Sequence, residues 1–223
     1  REQKRTDFPR LLSYSRFIEW VPYSLIPLTS FLKSKRGEIT GISFIDSTPI
    51  KVCQNIRIPR NKVFQGIAER GKSSMGWFYG FKLHIIVNEM GELLSIQITR
   101  GKINDRMPVK DMCQGIFGKL YGDKGYLGKK LFNELYSEGL EFITNVRSNM
   151  KNKILHLQDK IMLRKRFIIE TINDQLKNIC DIEHSRHRSP VNFLVNMIAG
   201  LVSYTYKEKK PCIKGLDYAL LLR

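Results

Sequence analysis

Between Phe81 and Thr99 the chain alternates apolar and polar positions twice, on either side of a short turn. Phe81, Leu83, Ile85 and Val87 alternate with Lys82, His84 and Ile86. After Asn88-Glu89-Met90-Gly91, Leu94, Ile96 and Ile98 alternate with Ser95, Gln97 and Thr99. A period of two sends successive side chains to opposite faces of a strand, so this pattern predicts an antiparallel hairpin. Its neighbours decide what kind of sheet it joins. Residues 41–46 form a compact strand pattern ending in Asp46, and 119–123 a second one ending in Asp123. The pattern predicts helices over 108–117 and 129–138, a strand over 141–146 and strong helicity over 153–179, and Pro190 opens a buried helix. Strands first, then strands alternating with helices, predict an α/β fold with a mixed sheet flanked by helices.

Ahead of the sheet, Leu11, Leu12, Phe17, Ile18 and Val21 recur at helical spacing until Pro22 and Pro27 interrupt them. A short, basic, helical segment over 1–38 is expected, then a main domain over 39–206 and a tail over 207–223. With 223 residues, 42% of them hydrophobic, the chain can bury a full core. Thirty-eight Lys and Arg against 21 Asp and Glu leave a formal charge of +17, which favours polyanionic partners, nucleic acid first. No apolar signal segment follows Arg1, and the apolar stretch 191–204 is shorter than the ~20 residues of a membrane span. Cys53, Cys113, Cys180 and Cys212 form no close pair. Reduced thiols, no membrane and a cytoplasmic location are expected.

In so basic a chain the placement of the acids matters. In an open α/β sheet the ligand site lies beyond the carboxyl ends of the strands, where Asp46 and Asp123 would converge. Either one alone reads more readily as a turn or capping residue. Glu170 lies in a helical run whose apolar stripe is Ile169, Ile172, Leu176 and Ile179. At ~100° per residue, Arg166, Glu170, Asn173 and Lys177 project within about 60° of one another on its other face. Alone, Arg166 and Glu170 read as a surface i, i+4 pair. Three carboxylates gathered together are a different matter: they suit two Mg²⁺ ions, with Mn²⁺ as substitute, that activate a water or 3′-hydroxyl and stabilise the leaving oxygen of a phosphodiester.

Cations flank these acids. Residues 47–76 lack regular periodicity and read as a loop in which Lys51, Arg57, Arg60, Lys62, Arg70 and Lys72 face Glu69 alone. With Arg147, Lys151, Lys153, Lys160, Arg164 and Lys165 they are candidate phosphate tracks, although charge runs are usually a solvated face. Cys180, His184 and His187 lack a fourth zinc ligand, and His184, Arg186, His187 and Arg188 read as a basic turn. Trp77, Phe78, Tyr79 and Phe81 suit the core better than base stacking.

Phe44-Ile45-Asp46-Ser47, Gly122-Asp123-Lys124-Gly125-Tyr126 and Arg166-x3-Glu170-x6-Lys177 together resemble the DDE transposases of bacterial insertion sequences. The nine-eight-two group shares runs like Gly80-Phe81-Lys82-Leu83-His84 and Thr99-x4-Asn104-Asp105-Arg106. The likeness covers about 39–206, with a weaker one over 8–20. It implies a ribonuclease-H-like fold and a metal-binding, catalytic triad of Asp46, Asp123 and Glu170. Asp46 would bridge two Mg²⁺ ions, while Arg166, Lys177 and Lys124 steady phosphates of the transposon end and target DNA. It also implies a bacterial, nucleoid-associated enzyme that dimerises on DNA, preceded by a helical DNA-binding segment of which this chain carries a stub. The tyrosine that related enzymes place before the arginine is Leu163 here. A nuclease that cuts without joining and a DNA-binding remnant without activity are the alternatives.

Overall fold

The computed structural model describes residues 11–146, 155–183 and 187–215. Six strands, β1 (Ile42–Cys53), β2 (Glu69–Ser73), β3 (Gly76–Asn88), β4 (Leu93–Arg100), β5 (Gly118–Gly122) and β6 (Leu140–Thr144), form one mixed sheet. Their order is β2, β3, β1, β5, β6, with β4 also paired to β3. The 81–99 hairpin forms as its periodicity predicts, with Leu83 opposite Ile98 and Ile85 opposite Ile96. Asn88 closes its turn by accepting from the backbone amides of Met90 and Glu92 through Oδ1. Gly91 supplies the left-handed residue there, at φ +75°. β1 runs antiparallel to β3 along most of its length. On its other side it pairs in parallel with β5 over three positions only, from Ile42–Lys119 to Phe44–Tyr121.

The helices are α1 (Tyr14–Trp20), α2 (Leu25–Ser34), α3 (Val109–Met112), α4 (Lys129–Ser137), α5 (Leu157–Lys165), α6 (Phe167–Asn178) and α7 (Pro190–Thr205). Strand alternation sorts the core into two layers. Phe44, Ile50, Leu83, Ile85, Val87 and Tyr121 belong to the cluster shared with Ile169, Ile172 and Leu176 of α6 and with α7. Ile45, Ile86, Leu120 and Phe142 pack on the opposite face with α3 and α4. Leu32 of α2 enters the first cluster, and Phe31 stacks on Tyr206 at 6.1 Å. The segment before the sheet therefore shares the main core. Among the described residues no helix is long and apolar enough to cross a membrane.

Three expectations are corrected. Residues 47–76 are not a loop: β1 continues to Cys53, a 3₁₀ turn spans Asn55–Arg60, and β2 pairs with the start of β3. Arg70 and Lys72 are exposed beside buried Gly71, so this strand has no apolar face to give it a period. Helix 108–117 shrinks to α3, after which Gly115 turns the chain at φ +74°. The long helix expected over 153–179 breaks at Arg166 into α5 and α6. Ile179, just past the end of α6, is exposed rather than part of the core stripe. Arg147, Lys151, Lys153, His184 and Arg186 lie outside the described residues.

Candidate active site

Strand alternation puts the two aspartates on one face of the sheet. Phe44 pairs with Tyr121 across the parallel ladder, with ring centroids 5.6 Å apart, and both face α6. Two residues beyond each of them, on that same face, come Asp46 and Asp123. Asp46 is not at the end of β1, as expected, but within it; what ends there is its pairing with β5. Asp123 does follow a strand end, and its Oδ1 accepts from the Gly125 amide at 2.9 Å to cap a 3₁₀ turn, Lys124–Tyr126. That is the capping role the sequence allowed for Asp123.

α6 reaches Asp46. Asn173 donates through Nδ2 to Asp46 Oδ2 at 2.9 Å. Arg166, at the joint between α5 and α6, lies 3.6 Å from Asp46 through Nη1 and 2.7 Å from Glu170 Oε1 through Nη2. Burial pushes the Asp46 carboxyl up to about 7. Arg166 opposes that rise, while the nearby charges of Asp123 and Glu170 add to it. Asp46 thus senses both other acids, but the three are not a closed set. Glu170 is exposed on its helix and tied to Arg166. Among the described residues no three His, Cys, Asp or Glu side chains are placed to share one ion.

Lys177, expected at a phosphate, donates instead to the Pro49 carbonyl at 2.6 Å and pairs with Glu183 at 3.1 Å. Glu183 also accepts from the backbone amide of Lys51 at 3.0 Å. These groups satisfy β1 where β5 has left off. Lys51, Arg57, Arg60, Lys62, Lys72 and Lys124 keep exposed side chains. The Lys72 ammonium sits 5.9 Å from the ring centroid of Trp77. Trp77 is exposed, unlike buried Phe78, Tyr79 and Phe81.

A second group of residues lies around Tyr126 and the Asp123 turn. Lys82 pairs with Asp105 at 2.9 Å and donates to the Ile103 carbonyl. Arg106 donates to the Leu127 carbonyl just beyond the Asp123 turn. Tyr126 is buried, and burial together with the charges of Asp46, Asp105 and Asp123 holds its phenol well above the usual range. These residues appear in the sequence only as shared runs, with no chemical pattern of their own. Asn173 carried one signal: it stands three residues after Glu170 on the same helical face. Under β5, Asp159 accepts from Lys119 at 3.1 Å and Tyr121 at 2.8 Å, all three buried, which fixes α5 to the strand.

No curated protein matches the chain. Among solved structures it is similar to a piggyBac transposase in a synaptic complex with hairpin DNA, with a TM-score of 0.51 and 14% identity. The match covers 79% of this chain and 49% of that one, so the chain spans about half the length of that transposase. The likeness is one of fold, and the sheet with its covering helices is ribonuclease-H-like. A family model described as the transposase DDE domain matches residues 36–190, more than half of the chain, and the chain belongs to that family.

Proposed function

We propose that this domain cuts DNA at the ends of a mobile element and joins the freed 3′-hydroxyl to target DNA, as in insertion-sequence transposases of the nine-eight-two group. The observation that carries this reading is the shared level of Asp46 and Asp123, two residues past paired Phe44 and Tyr121, with Arg166 bridging Asp46 to Glu170. Carboxylate oxygens are the donors that Mg²⁺ or Mn²⁺ takes. Burial, with added repulsion from Asp123 and Glu170, raises the Asp46 carboxyl against the opposing charge of Arg166, and a divalent cation there would relieve that repulsion, so the donor set fits such an ion. Asp46 and Asp123 would hold it, with Glu170 joining once released from Arg166. A bound ion would polarise the scissile phosphate and lower the pKa of the attacking hydroxyl.

The chain's own residues bind and orient the strand. Lys124 beside Asp123, Lys51 on β1, Arg57, Arg60 and Lys62 in and after the 3₁₀ turn, and Lys72 on β2 offer exposed cations to the DNA backbone. Arg166, reaching both acids with one guanidinium, presents the fork geometry that suits a phosphate oxygen. Two element ends call for two copies of the chain on the DNA.

The test is cleavage and strand transfer on end-containing duplexes with Mg²⁺, comparing wild type with Asp46→Ala, Asp123→Ala and Glu170→Ala. Loss in all three supports the reading, whereas wild-type rates in any of them remove that residue from the reaction. Supplying pre-cut ends separates joining from cutting, since a nuclease that does not join leaves them unchanged.

A further inference from the structure

Asn173 is buried, at 7% exposure, and only half of its amide is used. Nδ2 donates to Asp46 Oδ2, while Oδ1 has no hydrogen-bond partner and no access to solvent. A buried, unpaired carbonyl oxygen costs on the order of 1–3 kcal/mol, and native structures seldom keep one without use. Turning the amide over would bring Oδ1 against the Asp46 oxygen and lose the bond already made, so the neighbour fixes the present orientation. Glu170 stands one helical turn earlier and Asp46 directly beneath. The free oxygen thus belongs to the group of residues around the two aspartates.

We propose that Asn173 is a further oxygen donor of the cation site, its Oδ1 binding the divalent ion or a water on that ion while its Nδ2 orients Asp46. The proposal rests on the metal-dependent reading above. It also supplies what the acids lack by themselves, since no three of the described His, Cys, Asp or Glu side chains are placed to share an ion. An amide oxygen is a hard donor of the kind Mg²⁺ and Mn²⁺ accept, and being uncharged it adds no repulsion to a site already rich in carboxylates.

The experiment measures Mn²⁺ binding to the full chain by calorimetry and by electron paramagnetic resonance, without DNA and without turnover. Asn173→Ala is expected to weaken binding at least tenfold. Asn173→Asp keeps an oxygen and loses the donor to Asp46, and is expected to bind within about threefold of wild type. Asn173→Leu, which removes both the buried oxygen and the donor to Asp46, is expected to lose the Mn²⁺-induced rise in Tm. Wild-type affinity in Asn173→Ala would overturn the proposal. So would equal loss in Ala and Asp, since that outcome assigns Asn173 to holding Asp46 alone. If wild type and Asp46→Asn both fail to bind Mn²⁺, the metal-dependent reading itself fails, a result distinct from either.

Discussion

The guanidinium of Arg166 lies 2.7 Å from the Glu170 carboxylate and, through its other terminal nitrogen, 3.6 Å from Asp46. One fixed cation therefore sits between two of the three acids. Replacing it with alanine should lower single-turnover cleavage of an end-containing duplex by about 100-fold, the scale of losing one preorganised charge at a reacting phosphate. Arg166→Lys should recover little of this, because a point charge cannot serve both acids as a planar fork does. A wild-type rate in Arg166→Ala would place the residue outside the reaction.

Asp46 gives a pH signature. Its carboxyl stands near 7 in the folded chain against an ordinary value of 3.8, so the folded state holds a proton that the unfolded state has released. Its contribution to stability is full below about pH 4 and is lost as pH rises toward 7. His84 works the other way: burial lowers it to about 4, and its contribution falls as pH drops from 6.5 toward that value. Urea midpoints measured from pH 4 to 8 should therefore fall less steeply above pH 5 in Asp46→Asn than in wild type. An identical profile would refute the raised carboxyl.

Asp159 accepts from both Lys119 and Tyr121 inside the core. Asp159→Ala leaves a buried ammonium without its counter-charge, and should cost about 3–5 kcal/mol in denaturant unfolding. A loss under 1 kcal/mol would mean that Lys119 finds water.

Lys177 bonds to β1 and not to solvent, so Lys177→Met should destabilise the fold by about 1.5–3 kcal/mol, the scale of a charged hydrogen bond. Its DNA affinity should stay near wild type. An affinity drop with unchanged stability would return Lys177 to the phosphate role that its spacing suggested.

Arg57, Arg60 and Lys62 should matter through salt. Replacing all three with serine is expected to flatten the plot of log affinity against log salt by up to about 0.9 per lost phosphate contact. An unchanged slope would show that this turn stays clear of DNA.

The sequence made the β3–β4 hairpin legible because apolar and polar residues alternate in both strands, even though β3 is buried on both faces. It made β5, β6, α4 and α7 legible through apolar runs bounded by Gly, Pro and Asp. β2 escaped because an exposed strand with Arg70 and Lys72 has no apolar face to pattern. The break at Arg166 escaped because helical periodicity runs through a single tightened turn without a change in composition. Asp46 and Asp123 were readable as a pair, since strand position fixes their level. The partners of Asp46 were not, because hydrogen bonds from a helix more than a hundred residues away leave no local trace in the chain.

β1 loses its parallel neighbour midway, and α6 steps in. Lys177 takes the Pro49 carbonyl, while Glu183, just past the helix, takes the Lys51 amide. Side chains thereby replace the missing rungs, and the helix that carries Glu170 is stitched to the strand that carries Asp46. Swinging that helix toward or away from the aspartates would tear those stitches. If an ion binds at the aspartates as proposed, Glu170 could turn from Arg166 toward it by side-chain torsion, with the helix still held to β1 by Lys177.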